Sequence, residues 1–112
     1  MSAFNPSWIE IGAPDARRTR DFFAGLFDWP FETTGEGFSV AGAPGVGLHG
    51  GDPARDMVIY FRVEDLDAAV ARVRALGGTA PDPQPADPRF GRFVECKDVD
   101  GVKFGLHQPN GE

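Results

Sequence analysis

The chain has 112 residues, of which 41% are hydrophobic, and its formal net charge is −6. A chain of this length fits a single domain with one core, and its acidic balance argues against nucleic acid and anionic membranes as partners. Cys96 is the single cysteine, so no internal disulfide is expected, and the sequence shows no signal-peptide pattern and no long apolar run. We therefore expect a cytoplasmic protein.

The first half of the chain is predicted to form a strand, a helix and three further strands. Alternating side chains predict the first strand over residues 7–13. Asp15 is the expected N-cap of a helix that extends to about Asp28. Further strands are predicted at 31–34, 38–41 and 45–49, followed by a linker at 50–56. The helix carries an apolar stripe of Thr19, Phe22, Phe23, Leu26 and Phe27.

The second half repeats this order about fifty residues later. A strand is predicted at 58–63, and Asp65 is the expected N-cap of a helix that Gly77 ends. A short strand at 79–80, a proline-rich segment and a hairpin of strands 92–97 and 103–108 complete this half. Two copies are too few for a solenoid. We predict two βαβββ modules, at about 5–50 and 57–108, that close one core within a single domain, 1–112.

Four segments of the chain resemble the vicinal oxygen chelate superfamily, which includes glyoxalase I, bleomycin-resistance proteins and extradiol dioxygenases. They are Ile11-Gly12-Ala13-Pro14-Asp15, Phe22-Phe23 with Leu26-Phe27-Asp28-Trp29, Phe61-Arg62-Val63-Glu64-Asp65-Leu66-Asp67-Ala68-Ala69-Val70, and Lys97-Asp98-Val99-Asp100-Gly101. The resemblance implies an α+β fold in which the two modules form a curled mixed sheet around a cavity, with the helices outside. It indicates no single reaction, because the superfamily hosts many.

That geometry sorts the strand side chains by their alternation. The residues expected to pack against the helices are Ile9, Ile11, Val46, Leu48, Ile59, Phe61, Val94, Cys96, Phe104 and Leu106. The residues expected to face the cavity are Trp8, Glu10, Gly12, Gly47, His49, Val58, Tyr60, Arg62, Lys103, Gly105 and His107. A register shift of one residue would reverse these assignments.

The resemblance also implies where a metal would bind, because enzymes of the superfamily hold a divalent ion with His, Glu or Gln. The matching positions here are Trp8, Gly47 or His49, Val58 and Gly105. At least three of these four cannot ligate through their side chains, so we predict no metal site and no cofactor. One alternative remains open, in which Glu10, His49 and His107 form a two-histidine, one-carboxylate set for Fe, Zn, Mn or Ni.

Two classes of function follow. The first is a metal-free protein that binds a small organic molecule, similar to the bleomycin-resistance branch, with Trp8 and Tyr60 stacking a flat ligand and Glu10 favouring a cationic one. Arg62, His49 and His107 are its other candidate ligand-binding residues. The second is an enzyme of the same superfamily. It would be a metal-dependent lyase, isomerase or dioxygenase with the alternative ligand set, or a metal-free enzyme with Glu10 as catalytic base.

The resemblance further implies a homodimer, because small members of the superfamily are usually dimers. Prolines 81–88 guard one sheet edge, whereas the edge formed by the first strand has no such protection. We therefore expect a two-fold contact with Trp8 or Phe4 near it.

Overall fold

A computed structural model describes residues 5–42 and 44–110 of the chain. The backbone divides into two compact units, one of Trp8–Met57 and one of Val58–Glu112 together with Met1–Ser7. Phe4, expected near a dimer contact, lies outside the described residues. No helix in the described ranges is long and apolar enough to span a membrane.

The unit Trp8–Met57 contains one helix and a mixed sheet. Parallel pairing joins β1 to β4, and antiparallel pairing joins β4 to β3 and β3 to β2, which gives the strand order β2-β3-β4-β1. The elements in chain order are β1 (Pro6–Gly12), α1 (Ala16–Phe27), β2 (Glu32–Thr34), β3 (Gly37–Val40) and β4 (Gly45–His49). Helix α1 packs against β3 and β4.

The second unit contains a shorter mixed sheet and a second helix. Parallel pairing joins β5 to β7, and antiparallel pairing joins β7 to β6. The elements are β5 (Asp56–Arg62), α2 (Leu66–Ala75), β6 (Arg92–Lys97) and β7 (Lys103–Gln108). The strand expected at 79–80 is a single antiparallel bridge between Thr79 and Lys97. The proline-rich segment that follows provides few backbone donors for a longer ladder.

Both predicted helix starts are confirmed. The Asp15 carboxylate accepts hydrogen bonds from the amides of Arg17 and Arg18, at 3.0 and 3.2 Å. The Asp65 carboxylate accepts one from the amide of Ala68, at 3.1 Å. These bonds satisfy amides that the first helical turn leaves without a partner, so each aspartate fixes where its helix begins.

The cores of the two units follow the predicted alternation with exceptions. The first contains buried Ile11, Ala13 and Leu48 with Val46 and Phe23 packed on them. The second contains buried Leu66, Val70, Val94, Cys96 and Leu106 with Phe104 packed on them. Burial raises the pKa of the Cys96 thiol, so this cysteine is an apolar core residue rather than a reactive one.

Ile59 was predicted to face the helices and instead is 42% exposed. The reason is the position of α2, which packs mainly on β7 rather than on β5. The sequence also predicted that the first strand forms an open edge. This prediction is wrong at the start of the strand, because the Arg62 amide donates to the carbonyl of Asn5 at 2.9 Å. The start of the first strand therefore offers no unpaired edge for a dimer contact.

The apolar stripe of α1 is only partly covered. No residue of α1 is fully buried, and the exposed fractions of Phe22, Leu26 and Phe27 are 63%, 58% and 52%. Of the predicted stripe, Phe23 is the aromatic residue that packs on the buried core of this unit. Helix α2, in contrast, buries both Leu66 and Val70.

Candidate ligand-binding site

The polar face of the first unit brings together three of the predicted site residues. Strand register pairs Glu10 with Gly47 and Gly12 with His49 across β1 and β4. Because side chains alternate along a strand, Trp8 and Glu10 project from the face opposite Ile11. The same alternation places His49 on that face, away from buried Leu48.

Hydrogen bonds connect these side chains into one chain of contacts. The Trp8 indole N–H donates to Glu10 Oε1 at 3.1 Å, and His49 Nδ1 lies 2.6 Å from Glu10 Oε2. On the other side of its ring, His49 Nε2 lies 2.9 Å from Asp52 Oδ2. The amide of Ala54 donates to the second Asp52 oxygen at 2.8 Å. We call Trp8, Glu10, His49 and Asp52 the Glu10 cluster.

The contacts of His49 favour the protonated imidazole. A neutral ring has one N–H, whereas both nitrogens of His49 face carboxylate oxygens. Burial lowers the pKa of His49, but the hydrogen bonds and charges of Glu10 and Asp52 outweigh burial, so the pKa is raised. Two carboxylates around one imidazolium leave the cluster with an excess of negative charge.

Two glycines make room for the cluster. A Cβ at Gly47 would meet Glu10 Oε1, and a Cβ at Gly12 would meet Asp52 Oδ2 and His49 Nε2. The resemblance gave Gly47 or His49 as the match to one metal-ligand position. The structure shows that the Glu10 carboxylate lies in the space that a side chain there would take. The carboxylate remains accessible, because the Glu10 side chain is 25% exposed.

Asp52 is the member of the cluster that sequence reasoning missed. It lies in the predicted linker 50–56, where an acidic residue is ordinary. The available signal was its spacing, three residues after His49 and next to the turn former Pro53. Without strand β4 in place, that spacing does not distinguish a contact with the imidazole from an exposed loop carboxylate.

The second unit holds the other predicted ligand-binding residues, Tyr60, Arg62 and His107. Register pairs Tyr60 with Gly105 and Arg62 with His107 across β5 and β7. The Tyr60 ring lies where a Cβ on Gly105 would be, and it is buried. Its ring also meets Phe93 edge to face, with centroids 6.1 Å apart. Arg62 is exposed.

His107 differs from His49 in burial and partners. The carbonyl of Phe90 accepts from Nε2, which therefore carries a proton, and Nδ1 lies 2.6 Å from the Ser7 hydroxyl. Burial is the largest effect on the pKa of His107 and lowers it. The neutral ring follows, with Nδ1 accepting from Ser7. Both nitrogens thus have partners within this unit.

These contacts do not fit the metal that the resemblance implies. Both ring nitrogens of His49 are engaged by the carboxylates of Glu10 and Asp52. Both ring nitrogens of His107 are engaged by the Ser7 hydroxyl and the Phe90 carbonyl. Within residues 5–42 and 44–110, no group of three or more His, Cys, Asp or Glu side chains is arranged to hold a metal ion. Ligation by either histidine would first break a hydrogen bond that the structure contains.

A separate groove of about 690 Å³ lies between the first turn of α1 and the β2–β3 hairpin. Arg17, Arg20 and Phe38 are among its lining residues, and none of the six predicted ligand-binding residues is. The Arg20 guanidinium lies over the Phe38 ring, 4.6 Å from its centroid, and pairs with Asp21. We therefore place the candidate site at the Glu10 cluster.

A protein-family model identifies the family of the chain. The model of the Glyoxalase-like domain family matches residues 8–107, which is most of the chain. The chain belongs to the Glyoxalase-like domain family. It is thereby a member of the vicinal oxygen chelate superfamily, as the resemblance indicated.

Curated proteins also match most of the chain in sequence. The chain is 28% identical to the anthracycline biosynthesis protein DnrV of Streptomyces peucetius, over 90% of this chain and 46% of that protein. It therefore spans about half the length of the curated relatives it matches.

Two solved structures show the fold. The methylmalonyl-CoA epimerase of Mycobacterium tuberculosis has a TM-score of 0.67 at 18% identity, covering 99% of this chain and 94% of the epimerase. The 2,2',3-trihydroxybiphenyl 1,2-dioxygenase of Sphingomonas wittichii strain RW1 has a TM-score of 0.71 at 18% identity, covering 98% of this chain and 42% of the dioxygenase. At these identities the likeness concerns the fold alone, and it confirms the predicted α+β glyoxalase/dioxygenase class.

Proposed function

We propose that this Glyoxalase-like protein binds a small, flat organic cation at the Glu10 cluster without a metal. The observation that carries the proposal is the Glu10 carboxylate, held by the Trp8 N–H and by His49 in the space beside Gly47. A carboxylate fixed in this way loses little freedom when a cation binds. An adjacent indole offers a face for a flat ring and attracts positive charge.

The chemical class of the ligand follows from the charge of the cluster and from the relatives. Excess negative charge disfavours anionic ligands, so the cluster is poorly suited to a coenzyme A thioester. The similarity to DnrV suggests anthracyclines as probes. These molecules join a flat ring system to an amino sugar that is protonated at neutral pH. Arg62 of the second unit is exposed, and Tyr60 and His107 are buried there, so the proposal rests on the Glu10 cluster alone.

A pair of anthracyclines tests the proposal directly. Daunorubicin carries the charged amino sugar, and its aglycone daunomycinone does not, so calorimetric titration of both isolates the cation. We expect roughly tenfold tighter binding of daunorubicin, equivalent to about 1.4 kcal/mol. Glu10→Gln should remove this preference because it keeps the shape and loses the charge. Glu64→Gln is the matched control, since Glu64 is exposed and lies outside the cluster.

The same titrations separate metal-free from metal-dependent binding. Protein purified without chelators should contain far less than one divalent ion per chain by mass spectrometry, and EDTA should leave daunorubicin affinity unchanged. Equal affinity for the two anthracyclines, or an unchanged preference in Glu10→Gln, would contradict the proposal. A tightly bound ion that Glu10→Ala or His107→Ala releases would favour the alternative metal set.

The hydrogen-bonded chain of Glu10, His49 and Asp52 supports a second candidate, a metal-free enzyme in which Glu10 accepts a proton from carbon. Methylmalonyl-CoA is the available probe, because a structural neighbour is an epimerase of that substrate. In D₂O, nuclear magnetic resonance would follow loss of the proton at the carbon between its two carbonyls. We expect exchange at the buffer rate. Faster exchange that Glu10→Gln abolishes would favour the enzyme.

A further inference from the structure

A serine and a histidine of the second unit are in direct contact. The Ser7 hydroxyl and His107 Nδ1 lie 2.6 Å apart, although 100 residues separate them in sequence. Backbone pairing with the end of β5 brings them together. The Arg62 amide donates to the carbonyl of Asn5, and the Val63 amide donates to the carbonyl of His107, each at 2.9 Å. Ser7 is half-buried, whereas His107 is buried.

The hydrogen bonds of His107 allow it to accept the hydroxyl proton. Nε2 donates to the carbonyl of Phe90, which fixes the tautomer and leaves the lone pair of Nδ1 facing the Ser7 hydroxyl. Burial, the largest effect, lowers the pKa of His107, so the ring is neutral at neutral pH. A hydroxyl that donates to a neutral imidazole, itself oriented by a third group, has the arrangement of an activated nucleophile.

An aromatic ring and a positive charge lie on the same face of the sheet as His107. Phe93 is directly opposite His107 on β6, and residues in this relation share a face. The Phe93 side chain is 41% exposed, and its ring meets Tyr60 edge to face. Arg62 is opposite His107 on β5 and is exposed, and its charge adds to burial in lowering the pKa of His107.

We propose that Ser7 and His107 hydrolyse small aryl esters, with Ser7 as the nucleophile and His107 as the base. In the first step Ser7 Oγ bonds to the ester carbonyl carbon while the hydroxyl proton moves to His107 Nδ1. The bond from that carbon to the aryl oxygen then breaks, and the leaving oxygen takes the proton and departs as a phenol. Water then attacks the acyl carbon and gives a proton to His107. The carboxylic acid leaves as that proton returns to Ser7 Oγ.

The chemistry around the pair selects this class of substrate. A backbone carbonyl orients His107 where a carboxylate would hold an imidazolium more strongly, which favours a leaving group that departs readily. A phenol departs more readily than an alkyl alcohol because its pKa is lower. Exposed Phe93 offers its ring to the aryl group, and the charge of Arg62 favours the negative oxygen that forms when the carbonyl is attacked. The activity shares no residue with the Glu10 cluster.

Hydrolysis of para-nitrophenyl acetate by the full chain tests the activity. We expect Ser7→Ala and His107→Gln each to lower the rate above buffer roughly a hundredfold, with unchanged circular dichroism. The double variant should be no slower than either single variant, because the two side chains act as a unit. The matched control is Ser39→Ala, since the Ser39 hydroxyl contacts that of Thr34 rather than a histidine. This control should keep the full rate.

A fluorophosphonate locates the nucleophile. Ser7 Oγ would bond to phosphorus, fluoride would leave, and the hydroxyl proton would move to His107. Peptide mass spectrometry should find the phosphonate on the peptide that contains Ser7, and Ser7→Ala should remain unlabelled. Equal hydrolysis by the unaltered protein and Ser7→Ala would overturn the proposal, as would a loss of rate in Ser39→Ala. The absence of phosphonate from Ser7 would overturn it too.

Ser7→Cys tests the pair without any hydrolysis. His107 would take the thiol proton, so iodoacetamide should alkylate position 7 roughly tenfold faster in Ser7→Cys than in the double variant Ser7→Cys, His107→Gln. Cys96 is an internal reference for folding, because it is buried and burial raises the pKa of its thiol. It should stay unmodified in both proteins. Equal rates at position 7 would show that His107 does not activate this side chain, and the proposal would fail.

Discussion

Glu10 and Tyr60 occupy equivalent positions in the two units, fifty residues apart, and differ in what they do there. Each lies over a glycine of the neighbouring parallel strand, Gly47 for Glu10 and Gly105 for Tyr60. The first unit uses the space for a carboxylate on a flexible stem, whereas the second fills it with an aromatic ring. The same backbone arrangement thus supports an accessible polar group in one unit and a packed side chain in the other.

Gly105→Ala should show the largest effect, because the added methyl group would meet the base of the Tyr60 ring. That ring is buried and also touches Phe93, so it has little room to rotate away. We expect a loss of about 1–3 kcal/mol in the free energy of unfolding, measured with urea. Full stability in Gly105→Ala would mean that Tyr60 is not packed as described.

Gly47→Ala should separate binding from stability. The new methyl group meets the far end of the Glu10 side chain, which moves easily, so the free energy of unfolding should change by less than about 1 kcal/mol. The displaced carboxylate leaves Trp8 and His49, and daunorubicin affinity should fall roughly tenfold. An unchanged affinity in the calorimeter would show that the position of the carboxylate is not important for the ligand.

The chain has two histidines, and their pKa values are shifted in opposite directions. The raised pKa of His49 means that its contacts stabilise the fold below the pKa of an unfolded histidine, and that this stability is lost as pH rises through the folded pKa. The lowered pKa of His107 has the reverse effect. Its contribution is present above the unfolded pKa and is lost as pH falls towards the folded value.

Nuclear magnetic resonance of the ring protons can follow both titrations in one sample. The His49→Gln variant assigns the remaining signal to His107. Asp52→Asn should lower the pKa of His49 because it removes one of the two carboxylates, and it should leave His107 unchanged. If both rings titrate together near the value of a free histidine, the described contacts of neither ring persist in solution.

The predictable parts of this molecule are those fixed by neighbours in sequence. Asp15 and Asp65 cap helices through amides two or three residues away, so the sequence alone located them. Strand alternation likewise predicted the sides of Ile11 and Leu48. Ile59 was misplaced because its burial depends on where α2 lies, which no local pattern specifies.

The candidate site was less predictable, because it depends on contacts between distant segments. Glu10 and His49 were selected for their chemistry, but their contact arises only when β1 pairs with β4. Asp52 then joins through a loop. In the same way, helical periodicity predicted an apolar stripe that includes Phe22 and Leu26 without indicating what would cover it.

Gly25→Ala should have the smallest effect of these substitutions. Fifty residues later the equivalent position in α2 is Ala75, so the substitution makes the helices alike at this site. A Cβ at Gly25 meets nothing within 4 Å, and its φ is not in the left-handed region. The alanine therefore restricts the unfolded chain without strain in the helix, and we expect a gain of about 0.5–1 kcal/mol in the free energy of unfolding. Urea denaturation at one fixed protein concentration measures it, since a change in dimerisation would otherwise contribute. A loss of stability would indicate that the helix backbone at Gly25 is already in close contact with another surface.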